Sequence, residues 1–108
     1  MLIEFIGEAA MLEQAAEELA ECAQACLKLA RYKRGENPTY KSAESIYDNL
    51  HEEIADVHIC FNELEQGKLI DEKQVLNQIQ YKIKRMLTRL SESEKKKIVK
   101  ELVERMKL

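Results

Sequence analysis

From Leu12 to Ala30 the apolar side chains return at steps of three and four: Leu12, Ala16, Leu19, Ala23, Cys26, Leu27 and Ala30. That step brings each of them back to one face of an α-helix, whereas a strand needs a step of two. The rhythm recurs at Ile46, Leu50, Ile54, Val57, Phe61 and Leu64, and again at Val75, Ile79, Ile83, Met86 and Leu90. It returns a last time at Ile98, Val99, Leu102, Val103 and Met106. Only one proline, Pro38, and three glycines stand among 108 residues, so little interrupts it. The strongest stop is Arg34-Gly35-Glu36-Asn37-Pro38-Thr39. A first helix is expected from Glu4 or Glu8 to Tyr32, and a second from about Ser42 to just before Gly67. Asp71 caps a third, and the capping box Ser91/Glu94 opens a fourth. The expected fold is all-α, a bundle of about four helices in one domain over residues 1–108.

Two helices of roughly 40 Å and two shorter ones leave apolar faces that a single copy does not cover. The first stripe is also rich in alanine, which lets a neighbouring helix approach closely. A bundle completed by oligomerisation, as a homodimer or homotetramer, is therefore expected.

Composition narrows the function. Apolar residues make up 45% and charged residues 34%, a globular balance, and the net charge of -3 argues against holding nucleic acid by bulk electrostatics. No apolar run reaches the length of a membrane span, and Met1-Leu2-Ile3-Glu4-Phe5-Ile6 is too short and acidic for a signal peptide. No membrane is expected as a partner. Cys22, Cys26 and Cys60 are odd in number and form no CxxC pair. They are expected to line the core in a reducing compartment, and the expected location is cytoplasmic.

The chemistry stands on the acidic residues. Glu18 and Glu21 are three apart, as are Glu53 and Asp56, so each pair shares a helix face. Glu53 lies between Leu50 and Val57 and points partly inward, with no Lys or Arg one turn away in either direction. A carboxylate placed there needs a cation, and four gathered carboxylates suit a hard one such as magnesium. The third helix carries Lys82, Arg85 and Arg89 in one basic line. Such a line can hold phosphate oxygens, or it can be a solvated flank whose stems cover the core.

Glu17-Glu18-Leu19-Ala20-Glu21 followed by Glu53-Ile54-Ala55-Asp56 resembles the EExxE…ExxD signature of the all-α nucleoside triphosphate pyrophosphohydrolases, the MazG-like group. That superfamily includes dimeric dUTPases and phosphoribosyl-ATP pyrophosphohydrolases. Gly35–Thr39 and Asn49–Val57 look like the small single-domain phage-type or bacterial members, and Lys82-Ile83-Lys84-Arg85 with Arg89 is similar to their basic KxxR segment. The likeness runs over about residues 10 to 90. It implies magnesium-dependent cleavage of a (deoxy)nucleoside triphosphate to the monophosphate and pyrophosphate, with manganese as the alternative metal. It implies Glu18, Glu21, Glu53 and Asp56 as catalytic metal ligands, and Lys82, Arg85 and Arg89 on the phosphates. Glu17 and Glu52 are candidates for the base. The chain departs from the pattern in the long stretch 22–52 and in having no Trp. Tyr32, Tyr40, Tyr47, Phe61 and Tyr81 are left to stack a base.

Two other readings compete. A di-iron bundle uses Glu-x-x-His, but the residues three before His51 and His58 are Asp48 and Ala55. A non-catalytic helical adaptor or regulatory oligomer would use its apolar stripe to bind a partner helix, its carboxylates being a solvated face.

Overall fold

The computed structural model describes residues 2–36 and 42–106, and every element in them is helical. In order these are α1 (Leu2–Ile6), α2 (Glu8–Arg34), α3 (Ala43–Gln66), α4 (Glu72–Leu87) and α5 (Glu92–Met106). The fold is all-α, with one helix more than the periodicity predicts. The extra boundary falls at Gly7, whose φ of 88° is closed to most other residues and separates α1 from a start at Glu8. Gly35, at φ 68° and ψ 20°, ends α2 in the left-handed conformation. Its N–H donates to the Tyr32 carbonyl and that of Glu36 to the Arg31 carbonyl, satisfying two terminal acceptors. Pro38 and its neighbours from 37 to 41, Tyr40 included, lie outside the described residues.

Ser42 caps α3, its hydroxyl accepting from the Ser45 N–H at 3.2 Å. The box expected at α5 is present in both directions. Ser91 N–H donates to the Glu94 carboxylate, and Glu94 N–H to the Ser91 hydroxyl, each at 3.3 Å. Leu90, expected inside the third helix, lies in the turn after α4.

By its contacts the chain divides into two compact units, residues 1–71 and 72–108. In the first, α2 and α3 form an antiparallel hairpin. Met11 shares a core cluster with Cys60 and Leu64 at one end, while the Lys33 ammonium stands 5.3 Å from the Tyr47 ring at the other. Ile3 of α1 closes the first end, joining Met11, Ala15, Cys60 and Leu64, with Leu69 and Ile70 packed alongside. The buried carboxylate of Glu63 accepts the Ile3 N–H at 2.9 Å and so fastens α1 to α3. Burial of each large apolar side chain there contributes about 1.5–3 kcal/mol.

The line that α2 turns toward α3 differs from the expected stripe. Met11, Ala15 and Ala25 are buried, whereas Leu12, Leu19 and Leu27 remain about half exposed. The two lines are adjacent on the helix, and α3 packs on the one containing small residues because they let the backbones approach. On α3, Ile46, Val57 and Leu64 are buried as expected, but Ile54 and Phe61 face outward. The thiols follow the same geometry: Cys60 is buried, Cys22 half-buried, and Cys26, expected in the core, is exposed.

The second unit is built differently. Neither α4 nor α5 has a buried residue. Ile83 and Leu87 of α4 and Val99, Leu102 and Val103 of α5 line a recess of about 370 Å³. The charge divides along the same boundary. Residues 1–71 hold 15 acidic and 6 basic side chains, and residues 72–108 hold 5 and 11. No helix among the described residues is long and apolar enough to cross a membrane.

Candidate metal centre

The antiparallel hairpin sets the middle of α2 against the middle of α3. One carboxylate oxygen each from Glu18, Glu53 and Asp56 meets there, all three lying within 4.8 Å of one another. Of three oxygens on one octahedral magnesium at most one pair stands opposite, about 4.2 Å apart for bonds of about 2.1 Å, and the other pairs stand about 3 Å apart, so a bound cation would draw the three together. Three of the four carboxylates singled out by spacing are thus brought together. The fourth, Glu21, is exposed one turn further along α2 and stands outside the group.

Two atoms define the chemistry of this place. Glu18 Oε2 and Glu53 Oε2 are both buried, and neither has a hydrogen-bond partner. A carboxylate oxygen shielded from water without a donor is costly, and a cation is the partner that satisfies several such oxygens at once. The other oxygen of Glu18 is occupied, since Gln14 Nε2 donates to Oε1 at 2.9 Å. Burial raises the Glu18 pKa above its ordinary value, and the charges of Glu21 and Asp56 push it in the same direction. The Gln14 bond opposes them. Thiols flank the group: burial raises the pKa of both Cys22 and Cys60, assisted by Cys26 and Glu53 for the first and by Glu18, Asp56 and Glu63 for the second. Held protonated, they are neutral neighbours of the carboxylates.

Neither His51 nor His58 belongs to the group, which consists of carboxylates alone. No family model, no curated protein and no solved structure matches this chain.

The basic residues sit in the second unit. Lys82, Arg85 and Arg89 line one shallow hollow of about 230 Å³ with Met86. The Arg85 guanidinium lies 5.9 Å from the Tyr81 ring, which steadies it while leaving its N–H groups available. Glu17 and Glu52, the candidate bases, are both exposed. Glu52 borders a polar recess of about 370 Å³ with Lys28, Ser45 and Asn49. Among the aromatic candidates Tyr47 is engaged by Lys33, while Tyr32 and Phe61 are open to solvent. Spacing overlooked Gln14, although it stands four residues before Glu18 and its reach was therefore legible. The nearness of Cys60 to Glu18 depends on the register between α2 and α3, which no local pattern encodes.

Proposed function

We propose that this protein is a magnesium-dependent nucleoside triphosphate pyrophosphohydrolase of MazG-like type. The observation that carries the proposal is that Glu18 and Glu53, each with a buried and unpartnered oxygen, gather with Asp56 in one group of carboxylates. Glu18, Glu53 and Asp56 would hold the metal, and Glu21, on the next turn, would complete the set. Bound there, magnesium supplies charge neutralisation at phosphate oxygens and a water activated for in-line attack. Lys82, Arg85 and Arg89 would hold phosphate oxygens, the role that the resemblance implies for them. Glu17 or Glu52 takes the proton from the water.

The proposal includes a homo-oligomer. Two observations support it: α4 and α5 bury nothing, and the Leu12–Leu19–Leu27 line of α2 is open. The same open stripe favours the second reading, a non-catalytic adaptor that lays a partner helix along it.

One assay separates the two. Pyrophosphate release is measured over a panel of ribo- and deoxyribonucleoside triphosphates, with magnesium or chelator, for the parent chain and Glu53→Gln. Metal-dependent release of pyrophosphate and monophosphate, lost by 10³-fold or so in the variant, is expected if charge on the transferring group is handled here. A folded chain that hydrolyses nothing on the panel overturns the enzyme and leaves the adaptor.

A further inference from the structure

The bond from Gln14 to Glu18 has a consequence for the proposed site. Glu18 has two oxygens with different surroundings: Oε1 takes the Gln14 amide at 2.9 Å, and Oε2 is buried without a donor. A single hydrogen bond to Oε1 leaves the carboxylate few orientations, and the one it holds leaves Oε2 buried without a donor on a residue whose carboxylate gathers with those of Glu53 and Asp56. We propose that Gln14 is a positioning residue for the metal site, fixing Glu18 so that Oε2 serves as the ligand. The inference rests on the pyrophosphohydrolase reading only in so far as that reading puts a cation at these carboxylates.

The physical reason is the one that makes partners of ligating groups matter at metal sites in general. A ligand held in place loses less freedom when the ion arrives, and removal of its partner costs 10–100-fold in metal affinity. Gln14 suits the task better than a charged residue at that position. Lysine or arginine would also donate to Oε1, but its positive charge would oppose the incoming cation. A second carboxylate would have no proton to give. An amide donates one N–H and adds no net charge.

A purely structural role predicts something else. An i,i+4 side-chain pair that is partly open to water contributes little to a helix, and its loss would register in thermal stability alone. The two roles are separated with Mn²⁺ as the probe, its binding followed by electron paramagnetic resonance of the free ion. The parent, Glu53→Gln and Gln14→Met chains are compared, and the melting temperature of each is measured without metal. Methionine keeps the length of the side chain and removes the donor.

The expected result has three parts. Parent chain binds Mn²⁺, Glu53→Gln does not, and Gln14→Met binds about tenfold more weakly with the metal-free melting temperature close to that of the parent. Equal affinity in the parent and Gln14→Met chains overturns the positioning role and leaves the site intact. If the parent binds no Mn²⁺, the carboxylate site falls and the positioning role falls with it.

Discussion

Residues 1–71 and residues 72–108 contain helices of similar pattern, yet only the first set encloses a core. In the first unit Met11 is wholly buried, and Ile3, Ala15, Cys60 and Leu64 close around it. In the second, Val75, Leu76, Met86, Val99, Val103 and Met106 are all 40% exposed or more, although their spacing is as regularly helical. Amphipathic periodicity states that a face will be covered and says nothing of what covers it. In the hairpin the cover is the neighbouring helix of the same chain. For α4 and α5, the proposed cover is a second copy.

Truncation of an apolar side chain in each unit gives the sharpest contrast. Met11→Ala is expected to cost about 2–5 kcal/mol, the range for a fully enclosed large side chain, and a urea titration reads it directly. Ile83→Ala on α4 is expected to cost far less in a lone chain, because its surroundings are already open. An Ile83→Ala loss as large as that of Met11→Ala, accompanied by a smaller sedimentation coefficient, would show that assembly covers the recess.

The next effect concerns charge in the hairpin. The raised pKa of Glu18 means that the folded chain binds a proton more tightly than the unfolded one. Stability from this group is therefore present at low pH and declines as pH rises from the ordinary value of 4.5 through the raised one. Metal-free protein should consequently lose this group's contribution to its melting temperature as pH rises above the ordinary carboxyl value. Glu18→Gln should flatten that dependence and stabilise the metal-free chain at neutral pH, while abolishing metal binding. A pH–melting series on both chains, in chelator, checks the sign. An unchanged slope in the variant would assign the dependence to other carboxylates.

The smallest expected effect is at the start of α5. Ser91→Ala removes one half of the reciprocal cap and should cost about 1 kcal/mol, confined to the second unit. Hydrogen exchange should rise in α5 and stay constant in α2 and α3. A rise in all of them would mean that the units unfold together.

These contrasts show what the sequence could express. Helix type and most boundaries followed from local rules: the stop at Gly35, the helix start near Ser42 and the box at Ser91 and Glu94 all occur as patterned. Glu8 was one of the two expected starts of the long helix and is where α2 begins, whereas the short α1 before Gly7 was not foreseen. The face of α2 was the larger miss. Leucine outranks alanine in hydrophobicity, yet close packing of two long helices favours the line with Ala15 and Ala25, and it was this choice that turned Glu18 inward. Glu18, Glu53 and Asp56 were legible from spacing because helices keep i and i+3 together. Their convergence across the hairpin, and the exclusion of Glu21 from the group, depend on the register between helices and on small rotations about their axes.

Glu18 and Glu53 each stand well inside a long helix, eleventh in α2 and eleventh in α3. Ligands carried on loops can spread to accept a larger ion, as calcium sites with six to eight oxygens require. Ligands on two packed helices move only if the helices move, at the expense of the contacts between them. A centre built this way would discriminate between cations by ionic radius, because neither helix yields without losing its contacts to the other.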